Sequence, residues 1–146
     1  MKRNSFYYER DLSVDEMISE MTIGLDLTLR DVQTELKEKA HPWLLSKGFR
    51  HAAVLGKFIP FPGEAACKQT TYTLLINECK EQVGDINKMI FPLSSIIQFI
   101  GEHIGLQKGD IIYTGTPEGV GPLRHGDRIQ LMWDKQVMGT TKIAQK

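Results

Sequence analysis

Cysteine is scarce in this chain: Cys67 and Cys79 are the only two among 146 residues. They form neither a Cys-x-x-Cys pair nor a disulfide framework, which fits a reducing compartment and two free thiols. Excess charge is missing as well. The 18 basic residues balance 18 acidic ones, for a formal net charge of zero with neutral histidine. Such a surface gives neither nucleic acid nor an anionic membrane an electrostatic footprint. No apolar run reaches the roughly 20 residues that span a bilayer, and Met1 to Tyr8 holds no signal-like apolar block. Of the four histidines, His41, His51, His103 and His125, none has a ligand-spaced partner, which argues against a zinc site. These absences lead to an expectation of a soluble cytoplasmic protein without nucleic-acid or membrane partners. The length suits a single domain, residues 1–146, large enough to bury a core.

What the chain does have is a loop of unusual composition, in Asp110-Ile-Ile-Tyr-Thr-Gly-Thr-Pro-Glu-Gly-Val-Gly-Pro122. A short apolar run enters a segment made almost wholly of Gly, Thr and Pro. Glycines there permit close backbone approach, and successive free N–H groups make a concavity suited to a carboxylate or phosphate. No Gly-Lys-Ser/Thr follows, so it is not a P-loop, and the glycine spacing is not that of a dinucleotide fingerprint. An ordinary turn between two strands accounts for the composition equally well.

The remaining pattern is mixed α+β and mainly β. Ser13-Val-Asp-Glu16 reads as a capping box opening a helix from Val14 to about Met21. Residues 22–27 read as a strand, and Thr28 with Asp31 as the cap of a helix ending near Ala40, before His41-Pro42. Residues 52–59 and 70–76 read as strands, with Asn77-Glu78 turning the second into a shorter partner. Leu93, Ile96, Ile97, Ile100 and Ile104 recur at helical spacing. Short strands follow at 110–114, 127–133 and 137–143.

Two places carry candidate chemistry. Asp26 closes a strand, and Arg30 and Gln33 follow on the next helix. At a pocket mouth a carboxylate suits a hard divalent ion, and a guanidinium grips a substrate carboxylate in two parallel hydrogen bonds. The plainer reading leaves Arg30 and Gln33 on a solvated face, with Asp26 favoured by a helix dipole. Lys47 lies in a Ser-Lys-Gly-Phe loop, where a lone lysine is ordinarily a surface charge.

Gly24-Leu-Asp-Leu-Thr-Leu-Arg-Asp-Val-Gln33, Trp43-Leu-Leu-Ser-Lys-Gly-Phe49, Met89-Ile-Phe-Pro-Leu93 and the Thr-Gly-Thr-Pro loop together resemble the fumarylacetoacetate hydrolase family, in its order and near its spacing. The resemblance runs from about Leu12 to Ile143 and is nearer to short acylpyruvate hydrolase and oxaloacetate decarboxylase-like members. It implies a mixed β-roll and a divalent-metal-dependent hydrolase or lyase cleaving C–C bonds in small 2-oxo or 1,3-dioxo acids. It also implies Mg²⁺ or Mn²⁺ as cofactor, a small oxo-acid substrate and a homodimer. By the same resemblance Asp26 is a metal ligand, Arg30, Gln33 and Thr116 contact substrate, and Lys47 stabilises developing charge. The family's Glu-x-Glu metal ligands and its His-Glu base match nothing here. The expectation is therefore the C-terminal two-thirds of a catalytic domain, weak in metal binding. The alternative is an inactive binding or dimerisation module. An uncovered sheet edge, closed by self-association or by Phe6, Tyr7 and Tyr8, follows from the same reading.

Overall fold

The computed structural model describes residues 12–144. The expected cover from Phe6, Tyr7 and Tyr8 lies outside them. The chain opens with helix α1 (Val14–Met17), strand β1 (Glu20–Met21) and strand β2 (Gly24–Asp26), then helix α2 (Arg30–Glu38) and the one-turn helix α3 (Leu44–Lys47). Strands β3 (Ala53–Leu55) and β4 (Ile59–Pro60) precede the short helix α4 (Glu64–Cys67). Strands β5 (Tyr72–Ile76) and β6 (Cys79–Gly84), a 3-10 turn at Ile86–Lys88 and helix α5 (Leu93–His103) follow. Strands β7 (Arg128–Trp133) and β8 (Gln136–Lys142) complete the described chain. None of the described helices is long and apolar enough to cross a membrane.

All strand pairing among the described residues is antiparallel: β1 with β4, β2 with β3, and a four-stranded sheet in the order β6-β5-β7-β8. The core lies between the β2–β3 ribbon and this sheet. Leu25, Ile129, Leu131 and Met138 form its buried centre, with Ile23, Val54, Leu74 and Trp133 packed around it. Mostly sheet with a few short helices is the α+β, mainly β class expected of the sequence.

Several elements start and stop where local chemistry requires. Glu16 accepts from the Ser13 N–H at 2.8 Å and from its hydroxyl at 2.6 Å, so the box at α1 forms as read. The helix ends early, at Met17, because Ile18 turns extended (φ −98°, ψ 114°) and residues 20 and 21 pair with β4 instead. Asn77 and Glu78 both take positive φ, 50° and 69°, which is the twist a two-residue hairpin needs. Asn77 also donates to Asp127 at 2.9 Å and accepts from the Arg128 N–H at 3.0 Å, tying the hairpin to β7.

Four expectations are corrected. Residues 52–59 are two strands rather than one, because Gly56 breaks the run: its N–H donates to Ile23 and the Lys57 N–H to Met138. Residues 44–47, read as loop, make one helical turn. Helix α2 starts at Arg30 without Thr28 as its cap, since that hydroxyl is engaged elsewhere. Residues 110–114 form no strand: among the described residues, no backbone hydrogen bond pairs residues 111–114 with another segment.

A Cβ on Gly56 would lie 2.8 Å from the Met138 carbonyl oxygen and 2.9 Å from that of Ile23, both backbone atoms with nowhere to go. Gly56→Ala is expected to cost about 1–3 kcal/mol, the usual price of overpacking. Urea unfolding of the two proteins measures it; an unchanged midpoint contradicts this packing.

Candidate active site

Strand β2 ends at Asp26, paired in register with Ala53 of β3. The Leu27 N–H donates to Ala52 at 2.9 Å, holding the chain flush to β3 as it leaves the ribbon. Leu29 donates its N–H to Ser46 at 3.1 Å, which fastens the start of α2 to α3. Ser46 is fully buried and its hydroxyl donates to Trp43 at 2.7 Å, so the α3 turn is rigidly set. Lys47, at the end of that turn, therefore reaches across to β2.

Its ammonium donates to Asp26 Oδ2 at 2.6 Å and to Thr28 Oγ1 at 2.8 Å. Both side chains of the ion pair remain about one-third exposed, 33% for Lys47 and 39% for Asp26. A pair so open to water contributes little to stability, on the order of 0–1 kcal/mol. The charges are kept where a ligand can meet them.

Asp26, Lys47, Ala52, Ala53 and Tyr113 line a hollow of about 320 Å³, at the small end of the range for ligand sites. Tyr113 donates its hydroxyl to the Val54 carbonyl at 3.0 Å, and its ring lies against Gly24, where a Cβ would approach to 3.0 Å. Burial pushes the Tyr113 phenol above its ordinary pKa, and the negative charge of Asp26 adds to the shift.

Arg30, Gln33 and Thr116 are not among the residues that line this hollow. Arg30 donates from Nη1 to Gln33 Oε1 at 2.6 Å, and Gln33 is buried, 5% exposed. A buried amide needs a partner, and one N–H of the exposed Arg30 guanidinium supplies it, leaving that group's other donors open. Thr116 is exposed, three residues beyond Tyr113, and is not among the lining residues. Its loop is anchored instead to β6, where Gln82 donates to the Pro117 carbonyl at 2.8 Å. Of the five residues, the hollow joins Asp26 and Lys47. Sequence reasoning missed Tyr113 and Thr28. The apolar run entering the glycine loop is the signal for the first, while Thr28 reads as a helix cap in the sequence.

Among the described residues no three His, Cys, Asp or Glu side chains gather to hold a metal ion. Asp26 offers a single carboxylate, and one of its oxygens already accepts from an ammonium. That donor set does not fit a resident Mg²⁺ or Mn²⁺, which needs several oxygen ligands and sheds water reluctantly.

Burial also raises the Tyr72 phenol, with a smaller contribution from Asp85. A group held protonated by the fold stabilises it fully below the unfolded pKa, and that contribution is lost as pH rises through the folded pKa. The Tyr72 and Tyr113 contributions are thus expected to fade above about pH 10, the ordinary tyrosine value. In an ultraviolet titration both should ionise later than free tyrosine, and Tyr113→Phe should remove one late step. A Tyr113→Phe titration identical to the parent's late phase would contradict the packing described.

The family model for the fumarylacetoacetate (FAA) hydrolase C-terminal domain matches residues 10–143. Oxaloacetate tautomerase YcgM of Escherichia coli is 36% identical over 130 residues, covering 87% of this chain and 58% of that protein. A structure from Yersinia pestis, assigned to the fumarylacetoacetate hydrolase family, superposes with a TM-score of 0.82 at 34% identity, covering 89% of this chain and 59% of that one. Fumarylpyruvate hydrolase from Pseudomonas aeruginosa, in complex with Mn²⁺ and pyruvate, gives 0.79 at 25% identity, covering 90% of this chain and 57% of that one. The chain spans about half the length of the curated relatives it matches. With nearly its whole length matched by the family model, this chain belongs to the fumarylacetoacetate hydrolase family.

Proposed function

We propose that the hollow at Asp26 and Lys47 is the charge-stabilising part of a centre that acts on small 2-oxo or 1,3-dioxo acids. The observation that carries this reading is the Lys47 ammonium, fixed by two hydrogen bonds at the edge of an open hollow. An ammonium has three donors; Asp26 and Thr28 take two, leaving one for a ligand. A cation held in place before reaction stabilises the oxygen on which an enolate's charge develops, and needs no rearrangement to do so. Tyr113 presents a neutral phenol on the same wall. An enolate is common to tautomerisation, decarboxylation and hydrolytic C–C cleavage of such acids, so the reading covers a lyase, a hydrolase or a tautomerase. The names of the E. coli and P. aeruginosa relatives support this substrate class; a divalent ion, as the Mn²⁺ with pyruvate in the latter suggests, would need oxygen ligands beyond Asp26 and the other described residues. Arg30, Gln33 and Thr116 keep a proposed role in substrate contact, and a cytoplasmic homodimer belongs to the same proposal.

A second reading has its own observation. Among the described residues, the only carboxylate lining the hollow is ion-paired, which favours a module that binds an oxo acid without turning it over.

Calorimetric titration with oxalate, a planar mimic of an enolised 2-oxo acid, tests the site with and without Mg²⁺ or Mn²⁺. Oxalate is expected to bind, and Lys47→Met to weaken it about tenfold, the loss of one charge-assisted hydrogen bond of about 1.4 kcal/mol. Equal affinity of the two proteins overturns the assignment of Lys47.

A further inference from the structure

Successive residues of a strand face opposite sides. Leu25 lies in the buried core, which puts Gly24 and Asp26 together on the other face of the β2–β3 ribbon. Gly24 has no side chain to offer there, and the Tyr113 ring takes the space. A Cβ on Gly24 would come within 3.0 Å of Tyr113 Cε1 and 3.2 Å of its hydroxyl oxygen. The hydroxyl donates to the Val54 carbonyl at 3.0 Å, so the ring is held at its tip as well as along its edge. Among the described residues, no backbone hydrogen bond joins residues 111–114 to another segment, which leaves the phenol as the pin between this stretch and the ribbon. Two residues of strand span about 6.7 Å, and that is the spacing between the ring's seat and Asp26 along the face. Tyr113 also borders an apolar groove of about 370 Å³ beside α5, lined in part by Ile100, Ile104, Leu106, Ile111 and Ile112. Among the described residues it alone lines both the groove and the hollow at Asp26 and Lys47.

We propose that Tyr113 determines which acids the site accepts: its pinned ring is an end wall that admits a short 2-oxo acid and turns away one with a long apolar tail. This rests on the reading of the hollow as an oxo-acid site. An acid whose oxygens meet the Lys47 ammonium has Ala52 and Ala53 beside it, and neither side chain is large enough to limit its length. The lining residue that can do so is Tyr113. A ring free to swing would yield to a tail. One bonded at its tip and seated on a bare glycine moves only by giving up that hydrogen bond. Past the ring the surroundings change from charged to apolar, because isoleucine and leucine line the groove. Tyr113 thus stands between a place for a carboxylate and a surface that favours a hydrocarbon chain. With the ring removed, one ligand reaches both.

The test is calorimetric displacement of oxalate from the full chain by two straight-chain acids, pyruvate and 2-oxooctanoate. The readout is the ratio of their two affinities within each protein, so a variant that weakens every ligand alike leaves it unmoved. The parent is expected to favour pyruvate by about tenfold or more. Tyr113→Ala is expected to shift the ratio toward 2-oxooctanoate by about tenfold or more, as burial of about two methylene groups supplies. Tyr113→Phe keeps the ring and loses the pin, and its ratio is expected to lie between those two; it decides alone if truncation unfolds the chain. A ratio equal to the parent's in these variants, with oxalate still bound, overturns this inference and leaves the oxo-acid reading standing. So does a parent that takes both acids equally. Failure of oxalate to bind the parent overturns the oxo-acid reading, and this inference with it.

Discussion

Oxaloacetate or an acylpyruvate, given to this chain alone with Mg²⁺ or Mn²⁺, is expected to turn over about 10²–10⁴-fold more slowly than with the chain joined to the unmatched share of the fold. The described hollow holds a fixed cation and a neutral phenol, but its carboxylate already accepts from Lys47. None of the four histidines lines it. Among the described residues, nothing on its walls is therefore free to take a proton as a general base, and one such group alone is worth about 10²–10⁴ in rate. Loss of the enol absorbance, followed in both proteins, gives the ratio directly. A robust metal-dependent rate from the chain alone, abolished in Asp26→Ala, refutes this. It would mean that acids outside the described residues, such as Glu9 or Asp11, complete the centre.

If the joined protein is active, Lys47→Met in that background separates the two readings of the site. Charge stabilisation by one preorganised donor is commonly worth about 10²–10³ in kcat, whereas a merely structural ion pair this exposed would change rate little.

How far the sequence discloses this molecule depends on how local the determining forces are. The β5–β6 hairpin is legible because Asn77-Glu78 fixes the turn and β-branched residues flank it. Helix α5 is legible because its stripe repeats at helical spacing over three turns. Residues 110–114 carry the same local signature as a strand, but pairing is a property of two segments, and among the described residues none pairs with them. Gln33 shows a subtler limit. Its type and spacing suit an exposed helix face equally well, and only the packing of α2 buries it and commits Arg30 to its amide. Lys47 is assigned through the resemblance alone, because nothing in Ser-Lys-Gly-Phe states that Ser46 and Leu29 will fasten α3 to the start of α2 and so bring Lys47 to Asp26. Family motifs record such long-range contacts where composition does not.

The same distinction sets the largest expected stability effect. Ile129→Ala should destabilise the fold by about 2–5 kcal/mol, a transfer term plus the cavity left behind. Ile129 is 2% exposed in the central strand β7, opposite Ile76 on one side and Thr141 on the other, so the sheet cannot easily close over the gap. That cost is a large fraction of the roughly 5–15 kcal/mol that holds a domain together. Ile104→Ala removes the same atoms from a side chain that is 71% exposed and should change stability by no more than about 0.5 kcal/mol. Urea unfolding with a common slope compares the two midpoints. Equal losses would show that the α5 groove is already closed in the chain as it stands. A large loss at Ile129 alone places the cooperative core in the four-stranded sheet, with the end of α5 outside it.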